Sequence, residues 1–226
     1  MTDFIIIGAG LIGMLTAREL ARSGASVRLL ERGEPGQESS WAGGGILSPL
    51  HPWRYADAVT ALARWSQDHY PGLCEQLREG TGIDPEWTRS GLLTLGADER
   101  EAASAWAVRF GYEVEALEGP SVHRCEPALG PEVKQALWMP DIAQVRNPRL
   151  LKALRRDLAD RGVEVEGNCQ ARRIATAGGR VSGVETESGT RAADAVVVSA
   201  GAWSTRLLQG LGPVPEINPV GGQMLI

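Results

Sequence analysis

Ile5-Ile6-Ile7-Gly8-Ala9-Gly10-Leu11-Ile12-Gly13 joins a run of β-branched residues to Gly-x-Gly-x-x-Gly, with a helical pattern directly behind it. Strand, tight turn and helix in that order are the setting in which such glycines bind a dinucleotide. Gly8 permits a sharp turn, Gly10 lets the backbone approach a pyrophosphate without a Cβ in the way, and Gly13 lets the helix pack on the strand. A pyrophosphate then lies over Gly10, Leu11 and Ile12, where unpaired N–H groups and the helix dipole favour negative charge. A plain glycine-rich turn is the competing reading.

The next strand, Ser26-Val27-Arg28-Leu29-Leu30, ends in Glu31, 18 residues past Gly13. A carboxylate at that distance accepts hydrogen bonds from both ribose hydroxyls and repels a 2′-phosphate. Arg32 works against the repulsion, since an arginine there pairs equally well with a phosphate. Ser39-Ser40-Trp41-Ala42-Gly43-Gly44-Gly45-Ile46 follows. Two hydroxyls able to bond phosphate or ribityl oxygens precede three glycines, which suit backbone passing close to a flat cofactor. A flexible loop has the same composition.

The stretch Glu38-Ser39-Ser40-Trp41-Ala42-Gly43-Gly44-Gly45-Ile46-Leu47-Ser48-Pro49 resembles the D-amino-acid-oxidase-like (DAO) family of FAD-dependent amine oxidoreductases, and within it the glycine-oxidizing members. The resemblance extends along nearly the whole chain. It implies an α/β fold: a Rossmann-like FAD-binding domain at residues 1–50 and 143–212, interleaved with an α+β substrate domain at 51–142 and 213–226. Family members continue beyond Ile226, so the resemblance implies a C-terminally incomplete substrate domain and an N-terminal portion that is inactive alone. The arginine that clamps the substrate carboxylate, and a glycine segment completing the flavin site, would lie in the remainder. Expected FAD contacts are Gly8, Gly10, Leu11, Ile12, Gly13, Glu31, Arg32, Ser39, Ser40, Gly44, Gly45, Ile46 and Ala171, with Ser199, Ala200 and Gly201 in a second turn. That turn also fits an ordinary strand-to-helix connection.

The implied reaction is oxidation of glycine, sarcosine or small D-amino acids by dioxygen to the oxo acid, ammonia and hydrogen peroxide, which can feed thiazole formation for thiamine. A related dehydrogenase passing electrons to a carrier, and a catalytically incomplete FAD-binding fragment, are the alternatives. No catalytic residue is identifiable, because a flavin needs little acid–base help.

Composition narrows the partners. A hydrophobic content of 43% with 23% charged residues fits a globular protein with an ample core. A net charge of −5 and no basic cluster argue against nucleic acid. The apolar stretch from Phe4 to Ala17 is too short to span a membrane. Cys74, Cys125 and Cys169 show no pairing pattern, which suits a reducing cytosol, and are expected to be small buried hydrophobes. His51, His69 and His123 lack partners at metal-ligand spacing, so no metal is expected. The amino-acid substrate and dioxygen remain as partners, compatible with a homo-oligomer.

Leu11–Arg22 is expected as the first helix. A longer one starts near Asp57, with Val59, Leu62, Ala63, Trp65, Tyr70 and, past Pro71, Leu73 and Leu77 at helical spacing; Trp65 and Tyr70 are expected in the core. Gly91–Gly96 reads as a strand, Asp98–Phe110 as a helix capped by Asp98, 119–126 as a short helix and Ala136–Met139 as a strand. Asn147 and Pro148 open a helix whose Leu150, Leu154 and Leu158 share a face. Strands are expected at 163–166, 171–176 and 181–187, with turns at Gly178-Gly179 and Ser188-Gly189. Asp194–Ser199 reads as a buried strand. Arg54 and Arg146 are expected to be exposed or ion-paired.

Overall fold

The computed structural model describes residues 2–96 and 98–222. In chain order they form β1 (Phe4–Ile7), α1 (Leu11–Arg22), β2 (Val27–Leu30), α2 (Ser39–Ala42), a 3₁₀ turn at Pro52–Arg54 and α3 (Asp57–Thr81). Then come β3 (Leu92–Leu95), α4 (Arg100–Phe110), β4 (Glu115–Glu118), α5 (Pro120–Cys125) and β5 (Gln135–Met139). The chain continues through α6 (Asn147–Asp160), β6 (Glu164–Glu166), β7 (Ala171–Ala177), β8 (Arg180–Thr186), β9 (Gly189–Ala192), β10 (Ala195–Val198), a 3₁₀ turn at Gly201–Trp203 and α7 (Ser204–Leu208). No helix among the described residues is long and apolar enough to cross a membrane.

Contacts divide the chain into two units. One contains the residues up to Gly44, Leu77–Asp84 and the chain from Asn147 onward; the other contains Gly45–Gln76 and Pro85–Arg146. These limits differ from the expected ones at 50 and 143 for a local reason. Gly45 and Leu47 exchange backbone hydrogen bonds with Val145 and Ala143, both 2.9 Å, so the two connecting segments leave the first unit together. Residues 77–84 join the first unit, where Arg149 Nε donates to the Asp84 carbonyl at 2.6 Å. Residues 213–222, expected in the substrate domain, carry no regular structure and group with the first unit. There Thr205 Oγ1 donates to the Pro215 carbonyl at 3.1 Å. The resemblance also implies the entry to a substrate-domain strand at 218–226; residues 218–222 form no strand, and 223–226 lie outside the described residues.

The core of the first unit is a parallel sheet in the order β10-β1-β2-β6. Ile5, Ile6 and Leu29 are fully buried, as strands covered on both faces must be. Parallel neighbours need crossovers, and α1 connects β1 to β2 while α6 precedes β6. A second, antiparallel sheet, β7-β8-β9, occupies the path from β6 to β10. Its first hairpin closes through Gly178-Gly179, with Ala177 facing Arg180, as the sequence suggests. Ile174 and Val184 carry its apolar face into the same core as Ile5, Ile7 and Leu30.

α6 packs on α1. Leu150, Leu154 and Leu158 of α6 are fully buried. Asn147 does not act as a plain cap: its Nδ2 donates to the Gly43 carbonyl at 2.9 Å. Between the helices lies an ion pair, Arg18 Nε to Asp157 Oδ2 at 3.1 Å, with both side chains under a tenth exposed. Arg161 adds a second cation, 2.7 Å from the same oxygen.

The second unit is built on the antiparallel sheet β3-β5-β4. Trp106 of α4 stacks on Tyr112 with ring centroids 4.4 Å apart and donates its Nε1–H to Thr60 Oγ1 at 3.1 Å. Asp98 does not cap α4. Glu99 is the cap residue, but its side chain makes no capping bond. It accepts instead from Trp53 Nε1 and from Arg54 Nε, the latter at 2.9 Å. Those bonds, Arg54's first, hold its carboxyl below the usual carboxylate range. Arg54 is thus ion-paired, as is Arg146 with Glu86.

Three burial expectations fail. β10, expected as a buried strand, is half-buried along its whole length. Trp65 is 61% exposed and stacks on His69 rather than entering the core, and Val59 and Leu62 are exposed beside it. Helical spacing shows that residues share a face, not that the face is covered. Of the cysteines only Cys74 is buried; Cys125 and Cys169 are half-buried.

The Arg18–Asp157 pair yields a stability prediction. Burial pushes the Asp157 carboxyl up, but Arg161's hydrogen bond and the charges of Arg18 and Arg161 outweigh it and hold the pKa below normal. The pair's contribution is therefore present above the ordinary aspartate pKa of about 3.9 and lost as pH falls through the depressed folded value. Asp157→Asn removes the carboxylate that Arg18 and Arg161 share, while Arg18 keeps Glu19 at 3.2 Å, and should cost about 1–3 kcal/mol in urea unfolding at pH 7. The variant should also lose part of the wild-type chain's destabilisation below pH 4.

Candidate functional site

The parallel sheet has one place where the chain departs in opposite directions. From β1 it passes to β2 on one side, and β10 returns on the other. Ligands in open α/β sheets bind outside the carboxyl ends of strands at such a point. Here the carboxyl ends of β1 and β10 run into Gly8 and Ser199, and a pocket opens over them.

The contact between these two turns explains the glycines. Gly8 has φ +104°, and a Cβ on it would stand 2.5 Å from the Ser199 carbonyl oxygen. Ser199 Oγ donates toward the Ile7 and Gly8 carbonyls, at 3.1 and 3.0 Å. A Cβ on Gly13 would meet the Gly8 oxygen at 1.9 Å. No side chain fits at either position. A Cβ on Gly10 would come within 3.0 Å of Ser40 Oγ, so that glycine leaves room above the first turn of α1.

Glu31 holds the turn from the other side. Its side chain is buried, with the residue 8% exposed. Oε2 accepts the Ala9 N–H at 2.9 Å and Oε1 accepts the Gly33 N–H at 3.2 Å. The carboxylate therefore bridges the loop after β1 and the loop after β2 while lining the pocket. At the start of α1 the Leu11 N–H donates to Ser40 Oγ at 2.9 Å. The hydroxyl belongs to α2, a single turn of helix directly before the three glycines.

Most expected residues meet here. Gly8, Gly10, Leu11 and Ile12 line the pocket from the first turn, and Glu31 and Arg32 from the second strand. Ser39 and Ser40 do so from α2, Ala171 from β7, and Ser199, Ala200 and Gly201 from the turn after β10. Gly13, Gly44, Gly45 and Ile46 do not line it. For Gly13 the reason is its contact with Gly8, which turns it toward the strand. Gly45 has φ +75° and its carbonyl accepts the Val145 N–H, so the loop itself requires a glycine.

Several lining residues were not among the expected contacts, although Glu38 and Trp203 belong to the stretches that carry the resemblance. Gln170 and Arg172 flank Ala171, Glu38 precedes α2, and Trp203, Arg206 and Leu207 follow the second turn. Their only signal was proximity in sequence to a predicted contact. Arg32 is not free to seek a 2′-phosphate: it pairs with Glu38 at 2.5 Å and lies over the Trp203 ring, 3.5 Å from its centroid. The donor set fits a dinucleotide bearing a diphosphate: a helix N-terminus with a hydroxyl beside it and a buried carboxylate at ribose distance along the chain.

Comparison with known proteins agrees with this geometry. A family model described as FAD dependent oxidoreductase (DAO) matches residues 3–226. A glycine oxidase of Pseudomonas putida is 48% identical over 223 residues, covering 98% of the chain and 61% of that protein. A bifunctional ThiO/ThiG protein of Trichormus variabilis is 31% identical over 99% of the chain and 34% of its own length. The crystal structure of a glycine oxidase from Bacillus cereus superposes with a TM-score of 0.84 at 31% identity, over 92% of the chain and 57% of that structure. The chain thus spans about 61% of the length of the glycine oxidase it matches.

The bridging carboxylate generates a prediction that needs no ligand. Glu31→Gln keeps the shape but turns one acceptor into an NH₂ group facing a backbone N–H. The ligand-free chain should lose about 1–2 kcal/mol in chemical denaturation, the cost of one unsatisfied buried donor. A variant as stable as wild type would show that neither N–H depends on Glu31.

Proposed function

We propose, for a chain that belongs to the DAO family of FAD-dependent oxidoreductases, that its first unit is the cofactor domain. The second unit is then substrate-side, and the whole protein oxidises glycine or other small amino acids, such as sarcosine and small D-amino acids. Dioxygen is the oxidant, and the products are the oxo acid, ammonia and hydrogen peroxide. The observation that carries the reading is the pocket at the strand ends, where the N-terminus of α1 and the buried Glu31 carboxylate line one cavity. The 48% identity to a glycine oxidase supports the substrate class. The likeness to a ThiO/ThiG protein supports a role in making the thiazole of thiamine.

In this reading the pyrophosphate lies over Gly10, Leu11 and Ile12 at the start of α1, and the Ser40 hydroxyl, which accepts the Leu11 N–H, donates its own proton to a phosphate oxygen. Glu31 accepts from ribose hydroxyls with the lone pairs its backbone bonds leave available. Ser39, Ala171, Ser199, Ala200 and Gly201 wall the pocket, while Gly13 acts through packing. Gly44, Gly45 and Ile46 are assigned to the flavin on the resemblance alone. When bound, the flavin supplies the acceptor for the hydride that leaves the substrate Cα. The chain's own residues bind and orient; none is assigned a proton transfer.

Purified protein should be yellow, should release its flavin on acid precipitation, and in full-length form should produce peroxide with glycine. Glu31→Gln should weaken FAD binding at least about tenfold, because charge-assisted hydrogen bonds are worth about 1.5–3 kcal/mol each. Tightly bound NADP without flavin would overturn the reading. Flavin reduction by glycine with no peroxide would point to a dehydrogenase.

A further inference from the structure

The fingerprint accounts for one side of the pocket. The other side comes from the chain after β10. Trp203 closes the 3₁₀ turn, and Arg206 and Leu207 follow in α7. Positions 203, 206 and 207 stand as i, i+3 and i+4, so one helical face carries all three, and all three line the pocket. Leu207 also packs against the core of the parallel sheet, which fixes how that face is turned.

Charge singles out Arg206. Arg32 is paired with Glu38, and Arg172 with Glu187. Glu31 is satisfied by the Ala9 and Gly33 N–H groups. Arg206 has no hydrogen bond or ion pair among the described residues. A pocket whose other charged side chains are matched is thus left with one surplus guanidinium, in addition to the positive end of α1. Planarity singles out Trp203. The Arg32 guanidinium carbon stands over its ring, 3.5 Å from the centroid, while Glu38 pairs with one arm of the fork. Two fixed planes beside a ribose-binding carboxylate suit a heteroaromatic base.

We propose that Trp203 and Arg206 complete the adenine-nucleotide half of this pocket. Trp203 is a positioning residue that keeps Arg32 flat as a surface on which the base stacks. Arg206 supplies the cation that matches a phosphate of the diphosphate. This rests on the reading that the pocket takes FAD and narrows it to the ADP portion, all of whose proposed partners lie in the first unit.

The test is calorimetric titration of the 226-residue chain with ADP, adenosine and FAD, with thermal melts as a control for folding. Arg206→Gln should weaken ADP and FAD about tenfold, as expected for one charge-assisted contact. It should also flatten the salt dependence of ADP binding and leave adenosine within about twofold. Arg206→Lys should recover part of the loss. Trp203→Ala should weaken adenosine as well as ADP by about fivefold without moving the melting midpoint, and Trp203→Phe should restore most of it. Wild-type affinity for FAD and ADP in both Arg206→Gln and Trp203→Ala would overturn this inference and leave the flavin reading intact. A wild-type chain that binds neither FAD nor ADP would overturn both.

Discussion

The buried carboxylate of Glu31 is the constraint on which the site depends. It stands at the end of β2, accepts the Ala9 N–H from the turn after β1, and accepts the Gly33 N–H from its own loop. Its backbone is held as well: the Glu31 N–H donates to the Glu166 carbonyl, and its carbonyl accepts the Cys169 N–H at 2.7 Å. A single residue therefore ties β1, β2 and the segment after β6. A carboxylate so placed helps shape the glycine turn before any ligand arrives, which is the pre-organisation that binding of a flexible dinucleotide needs. Its structural role and the ligand-binding role proposed for it cannot be separated by one substitution, so the proposal is read from ligand-free stability and affinity together.

The opposite side of the turn is set by packing. Gly8 and Gly13 are in contact with each other and with Ser199 at distances that exclude any Cβ. These contacts make the two turns one object. Loosening either would widen the gap between β1 and β10, where the parallel register pairs Ile7 with Val198.

Much of this was legible in the sequence because it is local. The strand–turn–helix at residues 4–22, the leucine face of α6 and the Gly178-Gly179 hairpin each follow from a short pattern. What was not legible depended on partners distant in sequence. Trp65, Val59 and Leu62 have the spacing of a core face yet are exposed, since spacing cannot say which face is covered. Asp98 had the right chemistry for a cap, but α4 begins later and Glu99 spends its carboxylate on Trp53 and Arg54. The passage of α3 through Pro71, by contrast, is as the spacing of Leu73 and Leu77 indicates. Trp203 ends the turn that the sequence offers as a second cofactor-facing loop, but Arg206 carries no motif and lines the pocket only because β10 pairs with β1.

The pairing of β10 with β1 has a consequence for the timing of synthesis. Ser199 Oγ bonds the Gly8 carbonyl across 191 residues. At about 5–20 residues per second, the first wall of the pocket waits roughly 10–40 s on the ribosome for the second. During that interval one edge of β1, whose Ile5 and Ile6 end up fully buried, has no partner. An open strand edge of this kind attracts other chains, so the nascent protein passes through a window in which the edge of β1 is open to pairing with strands other than β10.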